Sequence, residues 1–482
     1  MREINGGLCA ACKRLKEKSA TARRRQPSGR ALLVAAALMA PVAAAAQNAA
    51  CDADAVSCCD ARPASASVKP SFPSFGVQIW PASLARAPQA VDRLIALKPR
   101  HLRFALGPNW ARQPQLRSGM TDVELDAFVA DGFARSRIVD EIEALRLMKS
   151  RTQAKLHLVI WAPPPLPSET PSRPGGERTL PHQDAQLVAR FDVALLKYLA
   201  AHEIHIDAIE LSNEPDAGWN IRIAPADYLA LVEAARAEAK RRNIALPLIY
   251  GPGASSVAAA RSFFSDPRIA RAILDTVDVL SIHGWDNPAR RDRVLEFDAL
   301  LADLTRLERK PEIALTEYGL ARPYPADASD RMNVKKRAPD HVANGAPYGV
   351  LTARDMLRFY GAGVGAIIHW EFQDQNWGHS SFGLLDERGT ERPIYHALAG
   401  LSNDLANRKA LQIVMMKADN LFLLKSATGD ALWSANAGAG QQTILLPERA
   451  RTSKAAACRG PLGRTGVTTP PWSLTATPME TP

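Results

Sequence analysis

The chain has 482 residues, 46% of them hydrophobic and 23% charged, with a formal net charge of +10. This is the composition of a globular protein. There is no repeat period, and Gly and Pro fall between periodic segments instead of forming a low-complexity block. The length allows one large barrel of about 250 residues or more plus an accessory module.

Nine basic side chains lie between Arg2 and Arg30, and an uncharged run from Ala31 to Ala46 follows, closing on Ala44-Ala45-Ala46. That order of charged, apolar and small residues predicts a secretory signal peptide over 1–46, and with it a periplasmic or secreted protein. The apolar run is shorter than the roughly 20 residues that span a bilayer, so no stable membrane span is expected once the leader is gone. Nine basic and two acidic residues leave with the leader, which lowers the net charge from +10 to +3. The main support for a nucleic-acid partner leaves with them. Cys9 and Cys12 lie in the leader, while Cys51, Cys58, Cys59 and Cys458 remain. In an oxidising compartment these allow one or two disulfides of undetermined connectivity. None has His-rich surroundings, so neither a metal nor a cofactor is expected.

Residues 47–73 are rich in Ala, Ser and Pro and read as a linker. Beyond them, short apolar runs alternate with helix-periodic stretches. The strand candidates are Phe75–Trp80, His101–Leu106, Lys155–Trp161, Asp207–Ser212, Pro247–Gly251, Val277–His283, Glu312–Glu317 and Gly365–Trp370. Between them, Asp184–Ala201 repeats Leu187, Phe191, Leu195 and Leu199 at i, i+4, and Pro225–Asn243 opens on Pro and closes on basic residues. Eight strands alternating with helices predict a closed (β/α)₈ barrel, an α/β fold, over 74–407. No G-x-G-x-x-G follows the first strand, which weakens a nucleotide-binding reading. After a helix at Pro393–Ala406, short strands at Ala410–Met416, Leu421–Ala427, Ala431–Ala437 and Thr443–Pro447 suggest a small β-module over 408–448. The Ala-, Thr- and Pro-rich stretch 449–482 is expected to be a poorly ordered tail.

Residues at the C-terminal ends of barrel strands face the active-site rim. Glu214, in Leu211-Ser212-Asn213-Glu214-Pro215, follows the fourth strand, and Glu317, in Leu315-Thr316-Glu317-Tyr318-Gly319, closes the seventh. Strands four and seven lie across the barrel mouth, so the two carboxylates can converge on one substrate. Retaining glycoside hydrolysis needs such a pair, with carboxyl groups about 5–5.5 Å apart, one acting as acid and base and the other as nucleophile.

Asn213-Glu214-Pro215 with Thr316-Glu317-Tyr318-Gly319 resembles the retaining β-glycosidases of glycoside hydrolase clan A, over about Phe75 to Leu401. The resemblance implies that Glu214 is the acid/base and Glu317 the nucleophile of an O-glycosyl hydrolase acting on an oligo- or polysaccharide. It implies further that Asn213 holds the sugar 2-hydroxyl, Arg103 supports the nucleophile, and Trp370 forms an aromatic platform. Phe382-Gly383-Leu384-Leu385-Asp386 resembles the clan's stretch after strand eight. Trp161-Ala162-Pro163-Pro164 is similar to family 30, other parts to families 5 and 39, and His283 stands where family 5 often has histidine. The clan is assigned and the family is not.

Tyr318 follows the nucleophile position and is a further candidate for the substrate site, with packing alone as the alternative. Trp80, Trp161 and Trp285, at strand ends, are candidates for stacking on sugar rings, with core packing as the alternative. The stretch Arg322–Gly349 carries Arg331, Lys335, Lys336, Arg337 and His341; it reads as a solvated loop or as a cleft wall for acidic sugars. A transglycosylase with the same two Glu and a non-catalytic polysaccharide-binding barrel are the competing functions. Retaining an acid and a nucleophile together argues against the binder.

Overall fold

The computed structural model describes residues 72–478 apart from 107, 137–138, 170–177, 218–219, 286–292, 320–344, 376–381, 416–420, 427, 429–430, 437–441, 447–464 and 470–472. The leader, most of the linker, the four remaining cysteines and the basic residues Arg331 to His341 lie outside the described residues.

All eight expected strands are present: β1 Ser74–Gln78, β2 His101–Phe104, β3 Lys155–Val159, β4 Ala208–Glu210, β5 Leu248–Ala254, β6 Val279–Gly284, β7 Glu312–Tyr318 and β8 Ala366–His369. They pair in parallel and in chain order, and β1 pairs with β8 to close the barrel. Helices pack outside. In Ala185–Ala201 the predicted stripe of Leu187, Phe191, Leu195 and Leu199 is buried. It joins the outward faces of the strands in one apolar core, the burial that stabilises this fold.

The barrel interior is layered. Ala208, Tyr250, Val279, Ala314 and Ala366 form a separate apolar cluster inside it. Two residues further along the same strands, the inward positions turn polar: Glu210, Ser281 and Thr316, each at most 2% exposed. The apolar plug closes the barrel from below, and the polar layer above it supports the mouth.

β7 carries one extra residue against both neighbours. Ile282 pairs with Leu315 but His283 with Glu317, and Leu315 pairs with Ile367 while Tyr318 pairs with His369. This bulge lets Thr316 and Glu317 both face inward, where strict alternation would send Glu317 outward.

The helix Ala346–Ala362 is buried on nearly every side because barrel elements and a C-terminal sheet both pack against it. That antiparallel sheet consists of β9 Ala410–Met415, β10 Leu421–Ser426, β11 Ala431–Asn436 and β14 Ser473–Pro478, in the order β14-β11-β10-β9. Trp433 ties it to the helix Pro393–Arg408 by donating its Nε1–H to Asp404 at 2.7 Å. β12 Gln442–Leu446 pairs separately with β13 Thr465–Thr469. The expected tail thus supplies β13 and β14, since β14 finds the free edge of β11 as its hydrogen-bonding partner. No helix among the described residues is long and apolar enough to cross a membrane.

Candidate active site

The turn after β4 presents Asn213 and Glu214 to the barrel mouth. Glu214 adopts φ +50, with its backbone N–H donating to Gly253 O at 3.1 Å. Glu317 arrives from the bulged end of β7. Both residues are 5% exposed. One oxygen of each, together with a ring nitrogen of His283, forms a group in which all three atoms lie within 4.8 Å of one another.

Arg103 on β2 organises the floor of the site. It is fully buried, and its guanidinium donates in four directions: Nε to Glu210 at 2.6 Å, Nη1 to Gln78 at 3.0 Å and to Glu317 at 2.7 Å, and Nη2 to Asn213 at 2.8 Å. The planar fork fixes the relative positions of β1, β2, β4 and β7 side chains. Glu210 in turn accepts from Thr316 Oγ1 at 2.6 Å. Burial alone would raise the Glu210 pKa, but Arg103, His157 and His283 outweigh it and hold the carboxyl at about 2. His157, 3.8 Å from Glu210, is driven down to about 4 by burial despite that carboxylate.

The end of β6 supplies three contacts to the pair, two from His283 and one from Trp285, the residue after the strand. His283 Nδ1 lies 2.9 Å from Glu214 Oε1 and 3.4 Å from Glu317 Oε2. Burial opposes its charge, yet Glu317 and Glu214 raise its pKa above the ordinary value. Trp285 donates its indole N–H to Glu317 Oε2 at 3.1 Å.

Tryptophans ring the mouth. Trp80 and Trp161 meet edge to face at 5.2 Å, Trp161 stacks on Trp370 at 6.2 Å, and Trp285 meets Trp370 edge-on at 6.2 Å. All four are half-buried, leaving ring surface for a ligand. Glu371, fully buried, accepts the Trp80 indole N–H and so fixes that ring. A cavity of about 430 Å³ opens beside Trp80 and Trp161, lined also by Asn109, Arg178 and Asn220.

The structure therefore brings Glu214, Glu317, Asn213, Arg103, His283, Trp161 and Trp370 to one mouth. Tyr318 is a correction: it points outward, its hydroxyl donating to Asp355 at 2.9 Å and to the Thr352 carbonyl at 3.3 Å. The bulge at Thr316 turns Tyr318 away from the mouth as it turns Glu317 inward. Sequence reasoning missed Gln78, Glu210, Thr316 and Glu371, and the hydrogen bond of Trp285. The legible signal for Glu210 was a charged residue closing an otherwise apolar strand run. Glu214, His283 and Glu317 have the donor types of a metal site. The Arg103 guanidinium, 2.7 Å from Glu317, already supplies the positive charge there and opposes a cation.

No protein-family profile matches the chain, and no curated protein matches it in sequence. Solved structures do resemble it. SrfJ from Salmonella typhimurium superposes with a TM-score of 0.59 at 13% identity, over 85% of this chain and 89% of that one. The family 30 subfamily 8 xylanase Xyn30A from Clostridium acetobutylicum gives 0.53 at 12% identity, over 85% and 97%. The shared fold is the closed (β/α)₈ barrel. An endo-β1,6-glucanase, BT3312, shares it with a TM-score of 0.54 at 13% identity, over 80% and 88%. At these identities the likeness is one of fold, so any chemistry of this barrel rests on its own side chains.

Proposed function

We propose that the protein is a retaining β-glycosidase in which Glu317 is the nucleophile and Glu214 the acid/base, acting on an oligo- or polysaccharide. The observation that carries this reading is the opposed, buried carboxylate pair, with a guanidinium on one member and an imidazole bridging to the other. Glu317 attacks the anomeric carbon as the carbon–oxygen bond to the leaving group breaks, and Glu214 gives its proton to that oxygen. Glu214, now a carboxylate, takes a proton from water as the water attacks the anomeric carbon and releases Glu317.

Arg103 presents a cation to Glu317 and positions Asn213 beside it, within reach of a sugar hydroxyl. Trp370 and Trp161 offer flat apolar faces to the C–H faces of pyranose rings. The neighbouring cavity accepts a further sugar unit. The predicted leader would deliver the enzyme to the periplasm or outside the cell, where polymeric carbohydrate is met. The xylanase and the endo-β1,6-glucanase that share the fold make xylan and β-glucans the first polymers to test.

The decisive experiment uses aryl β-glycosides. Glu317→Gln abolishes turnover, and Glu214→Ala slows it by about 10²–10⁴-fold. Azide added to Glu214→Ala restores the second step and yields a glycosyl azide of β configuration. Wild-type activity in Glu317→Gln sinks the assignment.

A further inference from the structure

Given the proposed double displacement, we infer that Trp285 is a positioning residue for the nucleophile, its indole N–H fixing the second oxygen of Glu317. Arg103 holds Oε1 at 2.7 Å and Trp285 holds Oε2 at 3.1 Å, so each carboxylate oxygen receives its own donor. Two donors on opposite oxygens fix the plane of the carboxylate as well as its position. One donor would leave it free to swing.

The surroundings are built for this ring. The indole packs against Phe382 at 5.0 Å and edge-on to Trp370 at 6.2 Å. Its six-membered ring lies over Gly319, where a Cβ would come within 2.7 Å of Cζ3. Gly319 N–H donates to Gly284 O at 3.3 Å, which joins the end of β7 to the residue before Trp285. Gly319 lies two residues after Glu317, so the nucleophile segment leaves room for its own donor.

An indole nitrogen donates and never accepts. It cannot take up or release a proton at any working pH, unlike the imidazole of His283 beside it. It favours the ionised carboxylate before attack. When Glu317 leaves the sugar in the second step, the returning charge meets the same donor. The charged groups facing Glu317 are Arg103 from β2, His283 from β6 and Glu214 from the turn after β4; Glu210 stands behind Arg103. Trp285 is the neutral donor in this set.

The test separates the N–H from the ring. Replacing Trp285 with 3-benzothienylalanine keeps the bicyclic shape and removes the donor, and Trp285→Phe serves as a second, simpler variant. Hydrolysis of 2,4-dinitrophenyl β-xyloside and β-glucoside is followed across pH. A hydrogen bond to a charged group predicts a fall in kcat of about 10- to 100-fold. The acid limb of kcat/KM moves up by about one to two pH units. KM changes little, and Gly319→Ala reproduces the limb shift by displacing the ring. Wild-type kcat and an unmoved acid limb in the benzothienyl protein, with Glu317→Gln inactive, overturn the role of Trp285 while leaving the proposed function standing. An active Glu317→Gln overturns the proposed function itself.

Discussion

His283 Nδ1 lies 2.9 Å from Glu214 Oε1, and neither residue has more than 5% of its surface exposed. The same nitrogen reaches toward Glu317, so one imidazole sits between the two carboxylates. Burial works against its positive charge, but Glu317 and Glu214 prevail and its pKa is raised. A histidine whose folded pKa exceeds its unfolded value stabilises the fold in full below about pH 6.5 and ceases to do so as pH rises through the folded pKa. Wild-type protein should therefore melt above His283→Gln by the widest margin at acid pH, with the gap narrowing toward alkaline pH. Parallel melting curves of constant separation across that range would show that His283 is neutral.

Glu210 gives the opposite dependence. Its carboxyl is held at about 2, below its unfolded value, so its contribution is present above about pH 4.5 and is lost as pH falls toward 2. The shift corresponds to about 3 kcal/mol at neutral pH. Glu210→Gln should lose stability of that order in urea unfolding at pH 7 and show a flatter acid limb than wild type. It should also lower kcat, because the Nε anchor of Arg103 is gone. Unchanged kcat would mean that Gln78, Asn213 and Glu317 alone hold the guanidinium.

A second buried carboxyl lies outside the site. Asp192, in the helix Ala185–Ala201, is 1% exposed, and neither of its oxygens has a hydrogen-bond partner among the described residues. Burial pushes its pKa well above the ordinary range. Such a group disfavours folding increasingly as pH rises from its unfolded value of about 3.9 toward its folded one. Asp192→Ala is expected to raise the denaturant midpoint at pH 7.5 and to change it less at pH 4. A gain independent of pH would mean that the carboxyl is satisfied in solution.

The rim has its own clamp. Trp80 depends on Glu371, which accepts its indole N–H, and Trp80 in turn packs on Trp161 and Trp370. Glu371→Ala should release the ring and raise KM by roughly tenfold, as expected for a lost buried hydrogen bond, with a smaller effect on kcat. A fall in kcat at constant KM would place Glu371 in the chemical step instead.

Much of this architecture could be read from the chain. Parallel strands buried on both faces appear as short apolar runs, such as Val279-Leu280-Ser281-Ile282, and their spacing allowed little besides a closed barrel. Glu214 and Glu317 were legible because they stand just past the fourth strand and at the end of the seventh. Tyr318 was misplaced because standing next to Glu317 does not decide which face a side chain takes, and nothing in Leu315-Thr316-Glu317-Tyr318 announces a bulge. That feature is set by the pairing of β7 with β6 and β8, a tertiary relation. Glu210 and Thr316 escaped notice for a related reason: their partners, Arg103 and each other, come from separate strands that only barrel closure brings together. The edge strand β14 lies in a Thr- and Pro-rich stretch whose composition suits a solvated chain, and it is set by the open edge of β11.

Glu214 occupies a left-handed backbone conformation, φ +50, that costs a residue with a Cβ about 1–2 kcal/mol and costs glycine almost nothing. The proposed acid therefore sits where the backbone favours its loss. Glu214→Gly would surrender the proton donor while relieving strain, and it would leave the tryptophan rim and the Arg103 floor in place. That relief is opposed by the loss of the buried His283 contact, whose Nδ1 lies 2.9 Å from Glu214 Oε1. The turn thus holds a carboxyl group at the mouth against the backbone's own preference.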